Sequence, residues 1–553
     1  MSLLRDTVGL PSGFTEGGFD WTNPYPTTRT PLFARNVVAT SQPLAASAGL
    51  AMMRNGGNAV DAAIASAAAI CITEPCSNGL GSDSFAIVWD GRRLHGLNAS
   101  GTAPSTWTPE YFRRRYGSDP AARPVRGWDT VTVPGAVAGW SALHRRFGRL
   151  RFEDVLAPAI EYAERGFAVS PAVQDKWQRA APLLTGLAGF DQHFLPRGRP
   201  PAVGEHFVLA GAARALKRIA ESAGEDFYRG QIAEAMAAFA RDGDGTLSLA
   251  DLAQYRPAWV ETISQPFAGC ELHEIPPNGQ GIAALICLGI LACTELADCP
   301  VDSADWHHLA IEAMKLAFAD VYAQVADPAA MRVTAAQMLE PSYLRQRAQL
   351  IDRSRAQAFA PGNQERGGTI YLATADADGM MVSLIQSNYM GFGSGIVVPG
   401  FGVSLQNRGH AFSLDPTHPN CVAPGKRPFH SIIPALLMRD GAAQMSFGVM
   451  GGNMQPQGQV QTLTRMLIAR QQPQAACDAP RWKWNAGLDL ELESGLPPPV
   501  AAELQRRGHR IVRGDDAYMD FGSGQMIWRL GDPGVDGYVA ASDSRRDGQA
   551  AGF

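Results

Sequence analysis

An α+β fold is predicted, with a mostly helical first part giving way to a strand-rich final third. Three observations predict it. Apolar residues recur at three- and four-residue spacing in LAPAIEYAERGF and DWHHLAIEAMKLAFADVYAQ, the period of a helix with one buried face. Beyond Thr369, TIYLATA and MMVSLIQ read as two strands around the turn Asp376-Ala377-Asp378-Gly379. Between the two regimes lies a polar, loop-like stretch, AQAFAPGNQERGG.

The elements follow in order. Residues 43–54 read as a helix halted at Asn55-Gly56-Gly57, and a second helix starts at Asn58, a good N-cap, and runs AVDAAIASAAAI. Its small side chains suit close packing. In SFAIVWDGRRLHGL, Asp90-Gly91 joins two short strands into a hairpin. Residues 152–338 read as mostly helical. A last strand over 444–449 ends in Met450-Gly451-Gly452.

A chain of 553 residues can bury a large core and by length alone form two to four domains. With 46% hydrophobic and 18% charged residues and a net charge of −5, nothing calls for nucleic acid or an anionic membrane as partner. The N-terminus MSLLRDTVGLPSGF lacks the basic and apolar regions of a secretory signal. The apolar stretch at 59–72 is interrupted by Asp61 and too short to span a bilayer. A cytoplasmic location is expected. Cys71, Cys76, Cys287, Cys293 and Cys299 form no CxxC pair and read as small buried hydrophobes in a reducing compartment. No Cys/His spacing suits a metal and no phosphate-binding loop stands out, so no metal and no cofactor are expected. His307-His308 shows no ligand companion at useful spacing. RDGDGTLSLADL offers Ala240 and Asp251 at the first and twelfth positions of a calcium loop, and reads instead as a turn with Ser248 capping a short helix. Phe392-Gly393-Ser394-Gly395 lacks the spacing of a nucleophile elbow.

The candidate chemistry lies at Gly367-Gly368-Thr369. A threonine hydroxyl becomes a useful nucleophile when a base adjoins it, and its own free α-amino group is one such base. That group titrates at about 7.7–8.0, suited to accept a proton near pH 7. Exposing it requires a chain break after Gly368, where a glycine leaves the carbonyl open to the neighbouring hydroxyl.

Many segments, in order, resemble the γ-glutamyltranspeptidase family: ATSQPLAASAG, NGGNAVDAAIASAAAICITEP, NGLGSDSFAIVWDG, VTVPGAVAGW, EIPPNGQGIAALICLGIL, GGTIYLATADADG, FGSGIVVPG, MGGNMQPQGQ and ASDSRRDGQAAGF. The resemblance runs from about Val37 to Phe553. It implies an N-terminal-nucleophile hydrolase with an αββα four-layer sandwich. It implies one self-cleavage between Gly368 and Thr369, giving a large fragment, 1–368, and a small one, 369–553, that stay associated, with a homodimer of heterodimers as the further family-based expectation. Thr369 would be the nucleophile, Ser387 its supporting hydroxyl, and Gly451 and Gly452 the oxyanion donors.

The resemblance weakens in the substrate pocket. Ser100 stands where the family has its carboxylate-binding arginine, Ala411 where it has the acidic residue for the glutamyl α-amino group, and Tyr389 where it has an asparagine. His430 and Ser431 fall at its paired serines, and Arg408 replaces a neutral amide side chain. A pocket with one arginine and no acidic partner suits a carboxylate-bearing acyl group without an amino group, such as oxamate or a glutaryl or adipyl chain, as in the family's oxamate amidohydrolases and cephalosporin acylases; the γ-glutamyl amides typical of the family, hydrolysed or transferred to an amine, are the competing class. A processing-dead relative that binds a small molecule is the third reading.

Overall fold

The structure is a computed structural model describing residues 24–26, 29–117, 119, 122–359, 368–513 and 521–553. The expected N-terminal features, Gly367 and most of the polar stretch before Thr369 lie outside the described residues. Two seven-stranded antiparallel sheets occupy the middle of the molecule. The first runs Gln549–Gly552, Val37–Thr40, Gly368–Ala375, Met381–Tyr389, Asp83–Trp89, Leu94–Ala99, Ala258–Val260. The second runs Leu32–Ala34, Tyr538–Ser542, Ser523–Arg529, Ala442–Met450, Ala435–Arg439, Cys270–Glu274, Ile263–Phe267.

Strand alternation sets the layers, because successive side chains point to opposite faces. Ile370 and Leu372 join a core with the helices Pro43–Arg54, Ala59–Thr73 and Phe152–Arg165. Tyr371 and Ala373 face the other way, into a core shared with Leu436, Ile527 and Ala540 of the second sheet. On the second sheet, Ala435, Leu437 and Phe447 pack outward against Ile282–Leu291, Ala304–Gln324 and Met454–Leu467. Three cores separate four layers: helix, sheet, sheet, helix.

Local sequence explains the elements next to the site. Asn58 Oδ1 accepts from the backbone N–H groups of Val60 and Asp61, and the Asp61 carboxylate accepts from that of Asn58. Such a cap is worth about 1 kcal/mol. All of Ala59–Thr73 is buried, and a Cβ on Gly49 would come within 2.4 Å of Ser66 Oγ, so small residues set the approach of the first two helices. Asp90 Oδ1 accepts from the N–H groups of Arg92 and Arg93 at the hairpin turn. Ser248 and Asp251 form a capping box at the helix Leu249–Gln254.

One expectation is corrected, the burial of Cys293 and Cys299. Residues 152–338 are mostly helical, as expected, and also supply short strands: Ala258–Val260 is the edge of the first sheet, and Ile263–Phe267 with Cys270–Glu274 the edge of the second. These strands are three to five residues long and mixed in polarity, too short for a strand period to emerge. Cys293 is exposed and Cys299 partly so, because both follow the end of the helix Ile282–Leu291.

Candidate active site

Thr369 sits one residue into the strand Gly368–Ala375, where the pairing register with Met381–Tyr389 shifts between Gly368 and Ile370. Such irregularities re-aim side chains. The Thr369 side chain is nearly buried, 4% exposed. Its Oγ donates to Ser387 Oγ at 3.3 Å, and Ser387 Oγ also accepts from the Tyr389 N–H at 2.7 Å. Tyr389 has φ +77°, a left-handed conformation that costs a bulky residue roughly 1–3 kcal/mol. The strain therefore sits at the end of the strand Met381–Tyr389, between Ser387 and the cavity wall.

Two glutamines approach this centre from other elements. Gln455, in the helix Met454–Leu467, donates from Nε2 to Thr369 Oγ at 3.4 Å while its Oε1 accepts from the Ile433 N–H at 3.0 Å. Gln280 donates from Nε2 to the carbonyls of Ser431 at 2.6 Å and Gly452 at 2.9 Å. Gly451 and Gly452 link the strand Ala442–Met450 to that same helix with φ of +123° and +61°. Backbone N–H groups at the start of a fourteen-residue helix form a setting suited to negative charge.

A cavity of about 580 Å³ has Arg123, Tyr389, Arg408, Ala411, Phe412, Ser431 and Asn453 in its lining, two arginines where one was expected; Arg123 donates to the carbonyls of Phe412 and Gly409. The Arg408 guanidinium lies 4.0 Å from the centre of the Tyr389 ring, and its Nη1 donates to Ser431 Oγ at 2.9 Å. Arg408 thus lies over an aromatic face and is fixed at one edge by a hydroxyl. Asp415, a carboxylate of the lining, is exposed and accepts through Oδ1 from the Thr417 N–H and hydroxyl.

Ser100 and His430 stand behind that lining and are fully buried. Ser100 Oγ donates to Asn98 Oδ1 at 2.7 Å. His430 Nε2 lies 3.1 Å from Asp83 Oδ2, and Asp83 Oδ1 accepts from the N–H groups of Gly101 and Gly135. Burial pushes the Asp83 carboxyl up to about 7, against the pull of Arg408. Burial, and then Arg408, hold His430 well below its ordinary value, so its ring is neutral.

The sequence reading named Thr369, Ser387, Tyr389, Arg408 and Ser431, which the fold brings to one end of the sheets. It missed Gln455, Gln280 and Asp83. The alternating glutamines of MQPQGQ were a signal for the first; the other two carry none without the fold. It also missed a companion set for His308: Glu312 and His509 come within ligand reach of it. Lys315 is bonded into that group, donating to Glu312 Oε1 at 2.6 Å and His509 Nδ1 at 3.5 Å, and His308 Nδ1 meets His509 Nε2 at 2.9 Å.

The gamma-glutamyltranspeptidase family model matches residues 45–553. A glutathione hydrolase-like proenzyme, YwrD of Bacillus subtilis, is 32% identical over 94% of this chain and 98% of its own. An oxamate amidohydrolase proenzyme of Klebsiella pneumoniae is 34% identical over 92% of this chain and 97% of its own. The crystal structure of a cephalosporin acylase from Bacillus halodurans superposes with a TM-score of 0.91 at 46% identity, covering 96% of this chain and 98% of that one. The chain belongs to the gamma-glutamyltranspeptidase family.

Proposed function

We propose that this protein cuts itself between Gly368 and Thr369 and then hydrolyses an amide whose acyl group carries a carboxylate but no α-amino group. Thr369 Oγ attacks the amide carbonyl, and the freed α-amino group of Thr369 takes the hydroxyl proton. The N–H groups of Gly451 and Gly452 face the oxyanion that forms, and Ser387 fixes the direction of the Thr369 hydroxyl. The C–N bond then breaks as the α-ammonium gives that proton to the departing amine, and water releases the acid from the acyl-enzyme. Proenzyme relatives named as acylase and oxamate amidohydrolase support this reading, as does the absence of an acidic side chain at Ala411.

The observation that carries the substrate class is Arg408, stacked on Tyr389 and bonded to Ser431 in the cavity wall. A preset planar guanidinium matches a carboxylate. The lining also holds Tyr322, Phe412 and Phe429, so the cavity has apolar wall for more than a bare oxamate. Glutaryl and oxamyl anilides should therefore be turned over faster than γ-glutamyl anilide. Arg408→Ala should weaken glutarate binding by about tenfold to a hundredfold, the range of one charge-assisted contact of roughly 1.5–3 kcal/mol. Unchanged glutarate affinity, or preference for γ-glutamyl anilide, would sink the assignment.

A pH effect follows from Asp83. Its surroundings include His430, Arg408, Arg427, Tyr255 and Tyr228. Below about pH 7 Asp83 holds a proton and exerts no charge on Arg408. Above it the Asp83 carboxylate competes for the same field. Glutarate affinity should fall as pH rises through about 7, and Asp83→Asn should flatten that dependence; titration calorimetry across pH 5.5–8.5 (roughly one and a half units either side) reads it directly.

A further inference from the structure

We infer that Gln455 is a catalytic residue whose side-chain amide stabilises Thr369 Oγ as a leaving group, so that its chief effect is on breakdown of the acyl-enzyme. The inference rests on Thr369 being the nucleophile. Gln455 is fully buried, and its orientation is set: Oε1 accepts from the Ile433 N–H at 3.0 Å, which leaves Nε2 to donate to Thr369 Oγ at 3.4 Å. It sits in the first turn of the helix that follows the Gly451-Gly452 turn, and its own N–H donates to the Gly452 carbonyl. One short segment therefore carries both the backbone N–H groups assigned to the carbonyl oxygen and a side-chain N–H aimed at the other oxygen.

The two oxygens differ in when they bear charge. During acylation the Thr369 hydroxyl, already a good acceptor, becomes an ester oxygen, a poor one. Acylation starts from a hydroxyl that Gln455 already binds well, so it gains less from this contact than deacylation, which starts from the ester. In the second step water adds to the acyl carbon, and its proton passes to the Thr369 α-amino group. The C–Oγ bond then breaks, its electron pair goes to Oγ, and Oγ regains a proton from the α-ammonium. Negative charge grows on Oγ as that bond breaks, so the Gln455 bond strengthens in the transition state, the condition for a contact to be catalytic. Self-cleavage has the same order: Oγ attacks the Gly368 carbonyl, the C–N bond breaks to leave an ester and a free amine, and water resolves the ester with Oγ leaving.

The test uses the full chain carrying Gln455→Met, similar in size and without a donor. The probe is whichever of glutaryl- and γ-glutamyl-p-nitroanilide the wild type turns over. The expected result is a burst of about one equivalent of nitroaniline, then a steady rate about tenfold below wild type. Intact-mass measurement should show the small fragment carrying the acyl group. A steady rate within twofold of wild type, or a slow rate with neither burst nor acylated fragment, would overturn the inference while leaving Thr369 in place. If Gln455→Met folds but stays uncut, hydroxylamine should split it between Gly368 and Thr369 by attacking the trapped ester; resistance to hydroxylamine would overturn the inference. If it does not fold, Gln455→Glu carries the same tests at a pH where the glutamate is ionised. A Thr369→Ala chain that still matures would instead overturn the nucleophile itself.

Discussion

Thr369→Ala is expected to remain one chain of 59.1 kDa and to lose activity by on the order of 10⁶-fold. Both losses have one cause. The hydroxyl that would attack the Gly368 carbonyl is the one that would attack the substrate, and without the cut there is no α-amino base. The fold should survive, because among the described residues the threonine hydroxyl makes the 3.3 Å bond to Ser387 and accepts the 3.4 Å bond from Gln455. A melting temperature near that of the wild type would show that the defect is chemical. Thr369→Ser should still mature, more slowly. Intact-mass measurement of the three proteins decides the matter: a Thr369→Ala sample that separates at 368/369 would remove Thr369 from the mechanism.

Gly451→Ala is expected to lower kcat by a hundredfold or more with little change in KM, since one oxyanion donor is worth about that much. At φ +123° an alanine is strained by roughly 1–3 kcal/mol, and its Cβ would lie 3.1 Å from Gly522 Cα and Met454 Cβ. The chain relieves both by turning the peptide, which moves the N–H away from the oxyanion. Gly452→Ala should cost less, because φ +61° lies in the left-handed well that an L residue enters for about 1–2 kcal/mol. Equal rates for Gly451→Ala and wild type would show that the donors lie elsewhere.

What was legible in the sequence was whatever depends on neighbours along the chain. The Asn58 cap, the Asp90-Gly91 turn and the strand opening at Thr369 all declare themselves within a few residues, and the structure has each. The edge strands at Ile263–Phe267 and Cys270–Glu274 did not, since what makes them strands is the sheet they join. The site divides the same way. Thr369 and the glycine pair stand out in short motifs. Asp83 looks like an ordinary strand residue until His430, 347 positions away, folds against it in a dry interior. Glutamines are common, and only the Ile433 N–H reveals that Gln455 has a fixed direction.

The strands before and after Thr369 are interleaved in both sheets: Gly368–Ala375 lies between Val37–Thr40 and Met381–Tyr389, and Ala435–Arg439 pairs with Cys270–Glu274. Cutting at Gly368–Thr369 would therefore remove a covalent tie without separating the pieces, and would change what unfolding means. An uncut chain that melts can refold alone, at a rate independent of concentration. A cut one must bring two partners together again, each with unpaired strand edges that invite aggregation. Heat should thus inactivate the mature protein irreversibly while the Thr369→Ala chain recovers on cooling, and the lifetime of the active form is set by how slowly its sheets open.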